Sequence, residues 1–224
     1  MAARKRTAGR PKADPKRDLK ADILRISRAL LDEGGAAALS MREVARRAGC
    51  THQAPYHYFA DRESILAALV TRGFETLTQA LRTANDISDT RNVRAAIAAS
   101  GRAYVTFAVA HASVFRMMFR PELCDDDRHP EVRSASMEAQ AELLRLTRIV
   151  FGDDAPRARA TLLWSEVHGL SCLMVDGPLA TSFSGRQARQ IHLDEVIDLF
   201  CDMVLRSSQP QGLVRPAPRP PRRR

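Results

Sequence analysis

The stretch Leu39–Phe59, LSMREVARRAGCTHQAPYHYF, constrains the fold of this chain more than any other. Ser40 followed by Glu43 reads as a capping box: the Ser hydroxyl accepts the Glu43 amide, and the Glu carboxylate reaches back to the Ser40 amide. Leu39 and Val44 can close over it as a hydrophobic staple. Gly49 lets the backbone turn out of the helix. Thr51 then offers a second cap, ahead of His52, Gln53 and the cluster Tyr56, His57, Tyr58, Phe59. Two short helices joined by about three residues of turn make a helix-turn-helix. In that motif the second helix enters the DNA major groove, and its first residues reach base edges.

Ser40-Met41-Arg42-Glu43-Val44-Ala45, Ala48-Gly49 and Tyr56-x-Tyr58-Phe59, followed by Asp61 and Glu63, resemble the TetR family of bacterial transcriptional regulators. The resemblance covers residues 20–66 well and the rest more weakly. It departs at Pro55, where many members carry Leu or Val. Proline has no amide, so the bond back to the Thr51 carbonyl is missing, a loss that a first helical turn tolerates. Ala54-Pro55-Tyr56 also occurs in a TetR subgroup whose regulatory domain carries Trp-x-x-x-His-Gly, present here at Trp164, His168 and Gly169.

The resemblance implies an all-α fold of about nine helices: an N-terminal three-helix domain with the helix-turn-helix, and a larger helical domain for ligand binding and dimerisation. It implies a homodimeric repressor that binds a palindromic double-stranded DNA operator and responds to a small-molecule effector. Two recognition helices about one DNA turn apart would read such a palindrome.

Within the motif, Gln53 suits a bidentate contact to adenine, with His52 beside it. By resemblance, Tyr56, His57 and Tyr58 sit where family members contact phosphates or bases, and Thr51 and Arg62 stand at helix starts suited to phosphate. The alternatives are core packing for Tyr56 and plain exposure for His57 and Tyr58. Arg42, Arg46 and Arg47 either meet the DNA backbone or form a solvated helix face. Phe59 is expected in the core.

Charge adds a second clue. The net +9 is uneven: residues 1–20 carry eight Lys/Arg against two Asp, and residues 206–224 carry six Arg and no acid. The chain between them is mildly acidic, and residues 21–60 are close to neutral, with five Arg and four acids. Basic tails on such a body suggest a polyanionic partner. Gly9-Arg10-Pro11-Lys12 resembles a minor-groove arm, with Arg10 either entering an A·T groove or touching phosphates only. A rival function is therefore a non-specific architectural nucleic-acid binder that works through its tails.

Periodicity divides the chain into a disordered basic arm (1–17), the DNA-binding domain (18–64), an effector-binding and dimerisation domain (65–206) and a disordered Pro/Arg-rich tail (207–224). Helices are expected over about 18–32, 62–84, 93–110, 113–119, 131–151, 187–205 and from near Pro156 to 175, besides those of the motif, with no strand-like alternation. The apolar runs Leu162–Val175 and Gln187–Leu205 suit a four-helix dimer interface or an internal core. Phe107, Phe115, Met118, Phe119, Trp164 and His168 either wall a ligand pocket or are ordinary core.

The four scattered cysteines have neither zinc nor disulfide spacing and fit a reducing cytoplasm. His168 has no second ligand at helical spacing, so no metal or other cofactor is implied. No apolar run is long enough to span a membrane, and the basic N-terminus lacks the apolar stretch of a signal peptide. No nucleophile elbow, phosphate-cradling glycine loop or zinc-protease motif supports an enzyme.

Overall fold

The computed structural model describes residues 18–87, 92–123, 125, 127–153, 155 and 157–208. The N-terminal arm with Arg10, Cys124, Pro156 and the chain beyond 208 lie outside the described residues. Among the described residues there are eight α-helices, three short 3-10 turns and no strand. The chain divides into two compact units between Leu69 and Val70, inside one helix.

In the first unit, α1 (Leu19–Ala38) starts at Asp18, whose side chain accepts the Ala21 amide at 3.0 Å. Its buried stripe is Ile23, Leu24, Ile26, Leu30 and Leu31. The end expected at Gly34-Gly35 is instead a kink: both residues leave helical geometry, Gly35 with φ +64°, and a last short turn delivers Leu39. A left-handed residue costs glycine nothing, which is why the break falls there.

Helix α2 (Met41–Ala48) begins as the sequence predicts, with Ser40 Oγ accepting the Glu43 amide at 3.2 Å. It ends on Gly49 at φ +63°, whose amide reaches the Ala45 and Arg46 carbonyls. Leu39 and Val44 are both buried. The reciprocal half of the capping box is replaced. The Glu43 carboxylate turns to Arg46, at 2.7 and 2.8 Å, and to Arg47 at 2.8 Å. Charge-assisted bonds to two guanidiniums outweigh one bond to a neutral amide.

The second helix of the motif is not an α-helix. It is a single 3-10 turn, Ala54–His57, and this accounts for eight α-helices where about nine were expected. No side chain caps it, so Thr51 serves through its carbonyl, which accepts the Ala54 amide at 2.9 Å. Pro55 supplies the reason. It lies at the second position, lacks the amide for an α-type bond, and leaves the tighter i to i−3 pattern that Tyr56 makes to Gln53 and Tyr58 to Pro55.

Helix α3 (Arg62–Ile87) starts at Asp61, whose Oδ1 accepts both the amide and the hydroxyl of Ser64 at 2.8 Å. Its opening residues belong to the first unit and its remainder to the second.

The second unit is built around α4 (Val93–Ala110), capped by Asn92. Against it pack α5 (Ala112–Met118), α6 (Pro130–Phe151), α7 (Arg157–Val175) and α8 (Arg186–Ser208). Small residues on α4 allow the close approach. A Cβ on Gly101 would stand 2.9 Å from Ile197 Cδ1 on α8. Arg102 pairs with Asp194 at 2.5 Å, and Arg94 with Asp202, so α4 and α8 are also registered by charge.

Helix α7 buries Leu163, Val167, Leu170 and Met174 but exposes Leu162 and Leu173. Helix α8 buries Leu193, Ile197, Phe200 and Val204 and exposes Ile191, Leu199 and Met203. Each therefore carries apolar side chains that the described residues leave uncovered. No helix among the described residues is long and apolar enough to cross a membrane.

Candidate DNA interface and apolar cavity

The tight turn at 54–57 sets what the motif presents. Pro55 and Phe59 are buried and anchor it. Thr51, His52, Gln53, Tyr56, His57 and Tyr58 are all exposed, so the core-packing alternative for Tyr56, at 42% exposure, does not hold. The His52 and Tyr56 rings lie 5.8 Å apart and tilted, which groups one imidazole and one phenol on the same surface. Arg42 is exposed and has no ion pair among the described residues.

The neighbouring arginines are already engaged. Arg47 forms a fork with Glu33 at 2.6 and 2.7 Å and a further bond to Glu43. Hydrogen bonds from Arg46 and then Arg47 push the Glu43 carboxyl down to about 2, so it stays ionised and neutralises the helix face. Arg62 also departs from its expected phosphate role. Its Nε donates to the Leu39 carbonyl at 2.9 Å and its Nη2 to the Ala36 carbonyl. It clamps the α1–α2 connection by bonding the Leu39 carbonyl and adding a second donor to the Ala36 carbonyl, which also accepts the Leu39 amide at 3.2 Å.

In the second unit an apolar cavity of about 470 Å³ opens among α3 to α8. Val70, Phe74, Leu77 and Leu81 of α3 form one wall. Met117, Met118 and Phe119 stand at the end of α5, Leu143 and Leu146 on α6, and Leu163 and Trp164 on α7. Tyr104 of α4 carries the inner polar group. Trp164 Nε1 donates to its hydroxyl at 3.1 Å, and the hydroxyl lies 2.9 Å from His168 Nδ1. An indole N–H can only donate, so the tyrosine oxygen accepts it, and with the His168 proton on Nε2 the phenolic proton goes to Nδ1. Burial pushes the His168 pKa down and the Tyr104 pKa up, which keeps both neutral and suits this direction of donation.

A profile described as "Bacterial regulatory proteins, tetR family" matches residues 23–69, and one described as "Tetracyclin repressor-like, C-terminal domain" matches residues 97–196. The two fall on the first unit and on the helices that enclose the cavity. The chain belongs to the TetR family of transcriptional regulators.

A mycobacterial relative, the HTH-type transcriptional regulator Rv1816 of Mycobacterium tuberculosis, is 26% identical over 106 residues. That match spans 47% of this chain and 45% of the relative, so the chain covers less than half the length of the curated relatives it matches. A solved protein of unknown function from Rhodococcus sp. RHA1 is 26% identical, with a TM-score of 0.70 over 89% of this chain and 98% of that one. The TetR family transcriptional regulator PfmR from Thermus thermophilus shares the fold, at 19% identity and a TM-score of 0.60 over 82% of this chain and 97% of that one.

Within this TetR-family chain the residues expected to wall a pocket divide. Met118, Phe119 and Trp164 line the cavity. Phe107, Phe115 and His168 do not. Phe107 is buried against His111, with ring centroids 5.0 Å apart. Phe115 is 3% exposed and packs edge-on to Tyr104 and Phe119. His168 stands behind the wall, 4.6 Å from the Phe119 ring centroid. The Trp-x-x-x-His spacing places both side chains on one face of α7, and there they hold the Tyr104 hydroxyl from two directions. Tyr104 is a site residue that sequence reasoning did not single out. A tyrosine on an apolar helix face requires a hydrogen-bond partner, and that requirement is the signal that could have paired it with α7.

Proposed function

We propose that the chain is a ligand-responsive repressor that binds a palindromic operator as a homodimer. The observation that carries the reading is the exposed row Thr51, His52, Gln53, Tyr56, His57 and Tyr58 on an anchored turn, three residues before a helix whose later turns wall the cavity. Gln53 and His52 are the base-reading groups, while Thr51, Tyr56, His57, Tyr58 and Arg42 position the turn on phosphates. Arg62 is a brace, outside this set. Arg10 and the basic tails add sequence-independent attraction.

A second copy covers the apolar side chains left exposed on α7 and α8, which brings two recognition turns onto one DNA face. An effector in the cavity binds one spacing of those turns better than the other, and only that difference in affinity can shift the equilibrium.

The test is fluorescence anisotropy with DNA from around the chain's own promoter. His52→Ala combined with Gln53→Ala should weaken binding of that DNA by about 5- to 150-fold, from about 1–3 kcal/mol for a bidentate base contact. Affinity for unrelated DNA should barely change. Equal binding of the promoter DNA by variant and parent would sink this reading of the recognition turn.

A further inference from the structure

The cavity carries a charge pattern that identifies the chemistry of its ligand, given the reading above that it holds an effector. Among the described residues that line it, Arg120 is the only charged side chain and none is a carboxylate. Arg120 is exposed and makes no ion pair among the described residues, whereas Arg82, Arg94, Arg102, Arg116, Arg133 and Arg145 of this unit are paired with acids. Ser136 and Gln140, one helical turn apart on α6, complete a polar rim. Gln140 is exposed and Ser136 half-buried, which marks this rim as the mouth.

The interior is the opposite. Tyr104 is 6% exposed, and with His168 protonated on Nε2 its proton and one lone pair are taken by His168 and Trp164. Tyr104 therefore offers no free donor to a ligand oxygen in this arrangement, and apart from Gly101 and the single hydroxyl of Ser100 the remaining inner wall is aliphatic, aromatic or methionine. A ligand that satisfied both ends would have an apolar body inside and an acceptor-rich negative head at the mouth.

We propose that the cavity binds a monocarboxylate with a single long apolar body, its carboxylate held by Arg120 with the Gln140 amide beside it, since the Ser136 hydroxyl already donates to the Arg133 carbonyl at 2.8 Å. The volume sets the size. At about 30 Å³ per heavy atom, the share of a water in the liquid, the cavity of about 470 Å³ takes roughly fifteen heavy atoms. Dodecanoate comes close to that number and is the probe. The chain has one tryptophan, Trp164, and it lines the cavity, so its emission reports occupancy directly.

The experiment titrates the full chain with dodecanoate below its micelle concentration, and in parallel with dodecan-1-ol and dodecyl phosphate. Dodecanoate should saturate a change in Trp164 emission and bind about tenfold more tightly than the alcohol, as one charge-assisted contact at a part-exposed site allows. Arg120→Gln should erase that preference by weakening dodecanoate alone, and Arg120→Lys should restore part of it. Circular dichroism checks that both variants fold, which an exposed side chain leads us to expect. Equal affinity for acid and alcohol, absence of saturation, or an unchanged preference in Arg120→Gln overturns the proposal. Tighter, Arg120-dependent binding of dodecyl phosphate replaces the carboxylate with a phosphate head and overturns it in that form. Promoter-DNA anisotropy in the same samples separates the two readings. Arg120-dependent dodecanoate binding that leaves DNA affinity unchanged upholds the anion site and refutes the effector role.

Discussion

Glu142 is buried at 7% exposure on α6, and removing its carboxylate should cost about 3 kcal/mol, chiefly through a residue other than its charged partners. Its Oε1 accepts Arg82 Nε at 3.1 Å, and its Oε2 accepts Asn85 Nδ2 at 3.1 Å and Arg145 Nη1 at 3.3 Å. The two guanidiniums are 47% and 41% exposed, and Arg145 keeps a second partner in Asp86. In Glu142→Ala both rehydrate, so their pairs contribute only about 1 kcal/mol together. Asn85 cannot rehydrate, because it is 1% exposed. It retains the Glu142 carbonyl at 3.2 Å but loses the carboxylate, and an orphaned buried amide donor costs about 1–3 kcal/mol. Glu142→Gln keeps an acceptor oxygen for Asn85 and should lose about 1 kcal/mol. Urea unfolding at fixed protein concentration, followed by Trp164 emission, measures both. Asn85→Ala should cost about 1–2 kcal/mol less in the Glu142→Ala background than in the parent, because the partners share one interaction. Equal losses for Glu142→Gln and Glu142→Ala would show that the lost charge outweighs the lost acceptor and refute the assignment to Asn85.

The remaining expectations concern other parts of the chain. Arg62→Ala should destabilise the first unit by about 2–3 kcal/mol, the range for charge-assisted bonds to two carbonyls, seen as a lower thermal midpoint in the absence of DNA. A variant that lost only DNA affinity would restore Arg62 as a phosphate contact. Because the Glu43 carboxyl is held down at about 2, its contribution to stability is complete above the ordinary carboxylate value of 4.5 and is lost as pH falls from there to about 2. The stability difference between parent and Glu43→Gln should therefore close over that window in an acid titration followed by circular dichroism. Leu199→Glu, at a side chain 65% exposed within one chain, should convert a dimer to monomer by light scattering without unfolding it. A monomeric parent would remove the basis for a palindromic operator.

Much of this protein was legible one residue at a time. Ser40, Gly49 and Asp61 act through bonds to amides or carbonyls a few positions away, so the sequence by itself determined where α2 begins and ends and where α3 starts. Pro55 was visible too, since a missing amide is a local fact, but its consequence was greater than expected: one 3-10 turn instead of a helix. The family assignment rested on the same short-range spacing. Only the tertiary structure decided which charges remain available and which aromatics reach open space. Arg62 is spent on carbonyls 23 and 26 residues away, and Arg47 on Glu33 14 residues away. Tyr104 meets Trp164 and His168 across 60 and 64 residues. A side chain's period along a helix gives its face, whereas its partner depends on what another helix brings opposite it. For that reason Phe107 and Phe115 are core and half-buried His168 stands behind the cavity wall, while Arg120 stands at the cavity's mouth.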